Sequence, residues 1–234
     1  LTPHLLMLSA TPIPRTLAMS YLADFDVSVI DELPPGRQPV STRIMPISRK
    51  PELIQGIGRE VSRGHQAYWV CPLIEENEEL ELTAAKETFE EIKSALPGVT
   101  VGLVHGELPQ QEKDAVMQAF KAGEISLLVA TTVIEVGVDV PNASTMVIEH
   151  AERFGLAQLH QLRGRIGRGS LKSWCILLYG EPLSENGRAR LQVIRNTTDG
   201  FEIARKDLEL RGPGEFLGAR QSGVPMPVSY THLT

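Results

Sequence analysis

Cysteine is nearly absent: the 234 residues hold two, Cys71 and Cys175, each inside an apolar, strand-like run. That scarcity excludes a disulfide-stapled scaffold, and buried free thiols in a reducing cytoplasm are the expected state. No His, Cys or carboxylate group shows metal-ligand spacing. No apolar run approaches the roughly 20 residues needed to span a bilayer, so no membrane partner is expected. Internal repeats are lacking too. The first residues, Leu1-Thr2-Pro3-His4, contain no Met and no basic stretch, and they enter at once into apolar Leu5-Leu6-Met7-Leu8. Such a start is expected of a truncated chain rather than of a signal peptide.

What is present is an ordinary packed-core composition, 42% apolar, in a chain long enough for one full domain plus pieces of others. The net charge of −6 argues against an indiscriminate polyanion binder, but it hides an asymmetry. Residues 1–149 carry 11 Lys/Arg against 21 Asp/Glu, whereas residues 150–223 carry 12 against 8. Much of the acid lies in Glu75-Glu76-Asn77-Glu78-Glu79-Leu80-Glu81, read as a solvated loop. The basic surplus is arginine-rich, which suits phosphate contact better than solubility alone.

Strand-like and helix-like segments alternate, the pattern of a parallel α/β sheet flanked by helices. Leu5–Ser9 and Val27–Ile30 read as strands around a short helix at Arg15–Leu22. Leu33-Pro34-Pro35-Gly36-Arg37-Gln38-Pro39 then has the composition of a linker. Beyond it, strands are expected at Thr42–Ile47, Ala67–Leu73, Val99–Val104, Leu127–Ala130, Met146–Ile148 and Trp174–Tyr179. Helices are expected at Glu52–Arg63, Ala84–Leu96, Gln110–Lys121 and Leu156–Leu162. After Gly180, Ser184–Asn196 and Phe201–Arg211 read as two helices joined by Thr197-Thr198-Asp199-Gly200, a helical hairpin with Phe201, Ile203, Leu208 and Leu210 packing inward.

The residues with the most chemical content are Gln161-Leu162-Arg163-Gly164-Arg165-Ile166-Gly167-Arg168. Phosphoryl transfer needs positive charge on developing phosphate oxygens, and rigid guanidinium groups between glycines supply it where the backbone must come close. A basic, glycine-rich surface loop is the bland alternative. The segment resembles motif VI, QxxGRxGR, of superfamily-2 helicases, and Val129-Ala130-Thr131-Thr132-Val133-Ile134-Glu135-Val136-Gly137-Val138-Asp139-Val140-Pro141 resembles their motif V. Ser9-Ala10-Thr11-Pro12 resembles motif III, and His105-Gly106 the backbone-binding step of the second motor lobe; each could instead be simple loop or strand-end structure. Asp207-Leu208-Glu209-Leu210-Arg211-Gly212-Pro213-Gly214-Glu215 and Arg220-Gln221-Ser222-Gly223 resemble a translocation motif of the RecG family, shared with the transcription-repair coupling factor. A hairpin that merely covers the sheet is the alternative there. Pro213 and the linker tilt the likeness toward the RecG family.

The resemblance covers residues 1 to about 225. It implies a RecA-like second helicase lobe plus a helical hairpin, divided as residues 1–33 (end of the first lobe), 34–42 (linker), 43–183 (second lobe), 184–226 (hairpin and loop) and 227–234 (a tail outside the pattern). By the same resemblance Arg165 and Arg168 would be arginine fingers, and Gln161, Gly137 and Asp139 would face the nucleotide. Thr131, His105 and Gly106 would touch DNA phosphates, while Ser9, Ala10, Thr11, Arg211, Arg220 and Gln221 would couple the two. ATP and Mg²⁺ would be held mainly by a first lobe, because the sequence has neither GxxxxGK[ST] nor a DExH carboxylate pair. The implied partners are branched or duplex DNA and the N-terminal lobe and wedge domain of the same protein. The implied activity is ATP-driven DNA translocation in repair and recombination, with no hydrolysis by residues 1–234 alone. A transcription-repair coupling motor, or a non-catalytic module that kept the fold, are the other readings.

Overall fold

The computed structural model describes residues 8–10, 28–30, 32, 38–71, 78–131 and 140–211. Six parallel strands form one sheet: β1 (Ser41–Pro46), β2 (Gln66–Val70), β3 (Val101–Val104), β4 (Leu127–Ala130), β5 (Ala143–Ile148) and β6 (Trp174–Tyr179). Their spatial order is β1-β6-β5-β2-β4-β3. The helices are α1 (Lys50–Ser62), α2 (Glu78–Ala95), α3 (Gln110–Lys121), α4 (Leu156–Arg163), α5 (Glu185–Asn196) and α6 (Gly200–Arg211).

A parallel sheet needs both faces covered, and the strands divide their side chains accordingly. Tyr68 and Val70 enter a core with Phe120, Leu159, Leu191 and Ile203, contributed by α3, α4, α5 and α6. Ala67, Trp69 and Cys71 enter the opposite core with Ile54 and Ile57 of α1 and Ile92 of α2. Tyr68 and Phe120 meet edge to face at 4.8 Å between ring centroids. On the second face the Glu149 carboxylate accepts from Trp69 Nε1 at 2.9 Å and from Lys50 Nζ at 3.0 Å, tying the start of α1 to the sheet. Burial opposes the Lys50 charge, but Glu149 and Glu91 outweigh it and hold the ammonium protonated.

Both cysteines are buried free thiols, as their apolar surroundings foretold, and burial pushes each up to about 12. The hairpin is also present. Ser184 Oγ accepts from Gly187 N at 3.0 Å to open α5, and Asp199 Oδ1 accepts from Phe201 N at 2.8 Å to open α6. Ile203 is fully buried, and such burial contributes about 1.5–3 kcal/mol to docking the hairpin. Phe201 departs from expectation, being 39% exposed.

Three further expectations are corrected. Residues 78–81 are the first turn of α2 rather than loop, because carboxylates are favourable at the positive end of a helix dipole. Ser9 is not in a strand, and neither are residues 28–30. Leu8 and Ile30 are 85% and 92% exposed, since among the described residues no neighbouring strand offers them a ladder to join. The expected helix at 15–22 lies outside the described residues.

Candidate nucleic-acid and nucleotide site

β3 and β4 run in register, Val104 opposite Ala130, so the residues that follow them leave the sheet together. Thr131 N donates to Val104 O at 3.2 Å, which seats Thr131 beside His105 at the C-terminal edge of the sheet. Thr131 is buried, and its Oγ1 finds no hydrogen-bond partner among the described residues; the same holds for His105 Nδ1. Each orphaned atom costs about 1–3 kcal/mol relative to a satisfied one. Burial, with the charges of Lys86 and Lys113 beside it, holds the His105 imidazole below its usual range and therefore neutral at pH 7. Lys113 Nζ donates to Gly106 O at 2.6 Å, buttressing the exposed glycine turn.

The sequence reading missed Lys86 and Lys113. Lys113 stands in the first turns of α3, where a cation opposes the helix dipole, and that misfit was the available signal.

The arginine-rich segment stands elsewhere. Leu156, Leu159 and Leu162 bury one side of α4, and Arg165 N closes the helix by donating to Leu162 O at 2.9 Å. Ile166 is fully buried, which anchors the turn between two arginines. Gly167 has φ +71°, and a Cβ on it would lie 2.6 Å from Val40 Cγ2. Glycine is required there on both counts. Arg165 is thereby left half-buried, while Gln161 and Arg168 are exposed and Arg168 Nε donates to Gly164 O at 3.3 Å. Of the residues this segment touches, Val40 lies just before β1 and Thr42 at its start. The arginines therefore occupy the N-terminal edge of the sheet, opposite to His105 and Thr131. Two guanidinium groups and a carboxamide at one helix end form a donor set suited to the oxygens of a polyphosphate. Among the described residues no group of three or more His, Cys, Asp or Glu is arranged to hold a metal ion.

Two arginines assigned to the basic surplus turn their donors into the fold, Arg163 buried and Arg190 half-buried. Arg190 donates to the carbonyls of Glu152 at 2.9 Å and Phe154 at 3.4 Å. Arg163, 3% exposed, donates to the carbonyl of Ile194, to Thr42 Oγ1 at 3.3 Å and to His160 Nδ1 at 3.0 Å. Burial and the Arg163 charge push His160 down to about 4, so its ring is neutral and Nδ1 is the acceptor. Ser9 and Ala10 are exposed. Thr11, Gly137, Asp139, Arg220 and Gln221 lie outside the described residues. Arg211 ends α6, its side chain likewise outside them.

Comparison with known proteins agrees with this architecture. Residues 49–170, just over half of the chain, match the helicase conserved C-terminal domain, and residues 197–233 match the ATP-dependent DNA helicase RecG, domain 3, C-terminal. The ATP-dependent DNA helicase RecG of Acidithiobacillus ferridurans is 65% identical over 222 residues, which are 95% of this chain and 32% of that protein. The Escherichia coli K12 protein of the same name is 63% identical over 94% of this chain and 32% of its own length. A solved structure of RecG bound to a three-way DNA junction superposes with a TM-score of 0.74 at 50% identity, covering 89% of this chain and 27% of that one. The chain thus spans about a third of the curated relatives it matches. With its parallel six-stranded sheet and its arginine-bearing α4 terminus, the chain belongs to the helicase conserved C-terminal domain family, and within it resembles the RecG type.

Proposed function

We propose that this chain is the closing and coupling half of an ATP-dependent DNA helicase or translocase that acts on branched DNA, as in fork regression and Holliday-junction processing. The observation that carries the reading is the pair of orphaned polar atoms, His105 Nδ1 and Thr131 Oγ1, on residues that follow paired strand positions at one sheet edge. Phosphate oxygens of a DNA backbone would satisfy a Thr hydroxyl and a neutral imidazole without reading bases, with Lys86 and Lys113 close by and Glu107 and Glu112 partly offsetting their charge. Support for branched DNA comes from the relative solved on a three-way junction.

At the opposite edge, Arg165 and Arg168 would stabilise charge on transferring phosphate oxygens, with Gln161, Gly137 and Asp139 facing the same nucleotide. Bound Mg²⁺ would neutralise phosphate charge from a first lobe, since the sequence carries no phosphate-cradling loop. The division is then residues 1–33 as the end of that lobe, 34–42 as linker, 43–183 as the second lobe and 184–226 as the translocating hairpin with its loop, 227–234 being a tail. Ser9, Ala10, Thr11, Arg211, Arg220 and Gln221 would connect nucleotide state to DNA movement. Such a protein works in the cytoplasm, and among the described residues no helix is long and apolar enough to cross a membrane. The RecG-type match over residues 197–233 favours this reading over a motor partnered with RNA polymerase.

The test is ATP turnover by the full-length protein with branched DNA, with linear duplex and with none. Stimulation by DNA, greatest with the branched substrate, is expected. Turnover indifferent to DNA would overturn the reading.

A further inference from the structure

Gly200 opens α6, yet its conformation does not call for glycine. It is not among the glycines with positive φ, and alanine at a helical position is favoured over glycine by about 1 kcal/mol. What excludes a side chain is the other end of the chain. A Cβ on Gly200 would overlap the carbonyl oxygen of Ala10, would sit 3.0 Å from the Ala10 carbonyl carbon and would lie 3.5 Å from His160 Nε2. Backbone meets backbone at this point, with the histidine of α4 alongside.

The contact continues inward. His160 Nδ1 accepts from Arg163 Nη2 at 3.0 Å, and the Arg163 guanidinium also reaches Thr42 and the carbonyl of Ile194 in the last turn of α5. Four parts of the chain therefore share one node: the Ser9–Ala10 segment, the hairpin turn, the start of β1 and the end of α4. Arg165 follows two residues after Arg163, on a turn that the buried Ile166 anchors to the core. A shift of Ala10 against Gly200 cannot be absorbed by a flexible side chain, because none is there.

We propose that Gly200 is a positioning residue, the seat on which the Ser9–Ala10 segment and the helical hairpin register against each other, and that His160 and Arg163 carry that register to Arg165 and Arg168. This rests on the function proposed above. It adds that the hairpin is set by direct backbone contact with the Ser9–Ala10 segment.

The test is Gly200→Ala in the full-length protein, read by thermal midpoint, affinity for branched DNA, KM for ATP and DNA-stimulated turnover. The methyl group suits the helix and offends only the seat. The overlap forces Ala10 and Gly200 apart, so the midpoint should fall, while DNA affinity and KM should hold and maximal turnover should drop on the order of 10-fold or more, as misplacement of reacting groups by an ångström does. Turnover equal to the parent protein would overturn the seat, and so would a turnover loss matched by an equal loss of DNA affinity, since the glycine would then serve the hairpin's fold as a whole. Absence of DNA-stimulated turnover in the parent protein would instead refute the function on which the inference rests. The two failures are thereby told apart.

Discussion

His105 and Thr131 stand side by side because the residues before them, Val104 and Ala130, are cross-strand partners in the β3–β4 ladder. Each presents a buried polar atom that no described residue satisfies. Natural cores rarely keep two such atoms together, and the pair separates a cost to folding from a use in binding.

Thr131→Val tests that separation. The swap keeps the shape and removes only the hydroxyl, so the folded state should be as stable as the parent or more so. Affinity of the full-length protein for DNA should fall by about 10-fold, the worth of one hydrogen bond to a charged oxygen. Fluorescence anisotropy at fixed salt reads the affinity and urea unfolding the stability. Loss of stability with unchanged affinity would make Thr131 a structural residue.

Gly167→Ala should act in the opposite way, through the fold. Its φ of +71° and the 2.6 Å approach of a Cβ to Val40 both penalise a side chain. A loss of about 1–3 kcal/mol is expected from urea titration of this chain. An unchanged midpoint would show that the turn carrying Arg165 and Arg168 is not held as described.

The pH dependence of stability carries a signature of His160. Its folded-state value is about 4 against an ordinary 6.5, because burial and Arg163 disfavour the imidazolium while Asp199 only partly offsets them. Above 6.5 the ring is neutral in both states and nothing is lost. As pH falls through 6.5 the unfolded chain takes up the proton first, so stability declines until about 4 and then levels. His160→Asn keeps an acceptor for Arg163 but cannot titrate, and it should flatten this part of the curve. A parallel curve for the variant would assign the dependence to other groups.

The sequence made some of this legible for definite reasons. The bounds of α3, β4 and β6 agree with expectation because Gln110–Lys121 shows clean helical spacing, and Leu127–Ala130 and Trp174–Tyr179 are short apolar runs with sharp ends. Strands at 5–9 and 27–30 were expected from apolar runs of the same kind, and their described residues, 8–9 and 28–30, are not strand; a strand is completed by its neighbour, and a run of Leu or Val carries no record of whether one is present. The arginine surplus after residue 150 pointed toward phosphates, whereas Arg163 and Arg190 spend their donors on backbone carbonyls. Composition counts guanidinium groups without showing which are buried. The Ala10–Gly200 contact joins residues far apart in sequence, and a glycine at the start of a helix looks like an ordinary turn residue until its neighbour is seen.

Residues 1–234 purified alone should not hydrolyse ATP, because the sequence has no loop to cradle the phosphates. A coupled-enzyme assay with DNA present checks this, and robust hydrolysis would contradict it.

The central claim, that the α4 terminus supplies charge to phosphoryl transfer while the opposite edge grips DNA, is tested most directly by Arg168→Ala in the full-length protein. Arg168 is exposed, and its bond to Gly164 O lies at the surface, so folding and DNA affinity should hold. DNA-stimulated ATP turnover should fall by about 1,000-fold or more, the usual worth of an arginine finger. Turnover unchanged from the parent protein, with DNA still bound, would contradict the account.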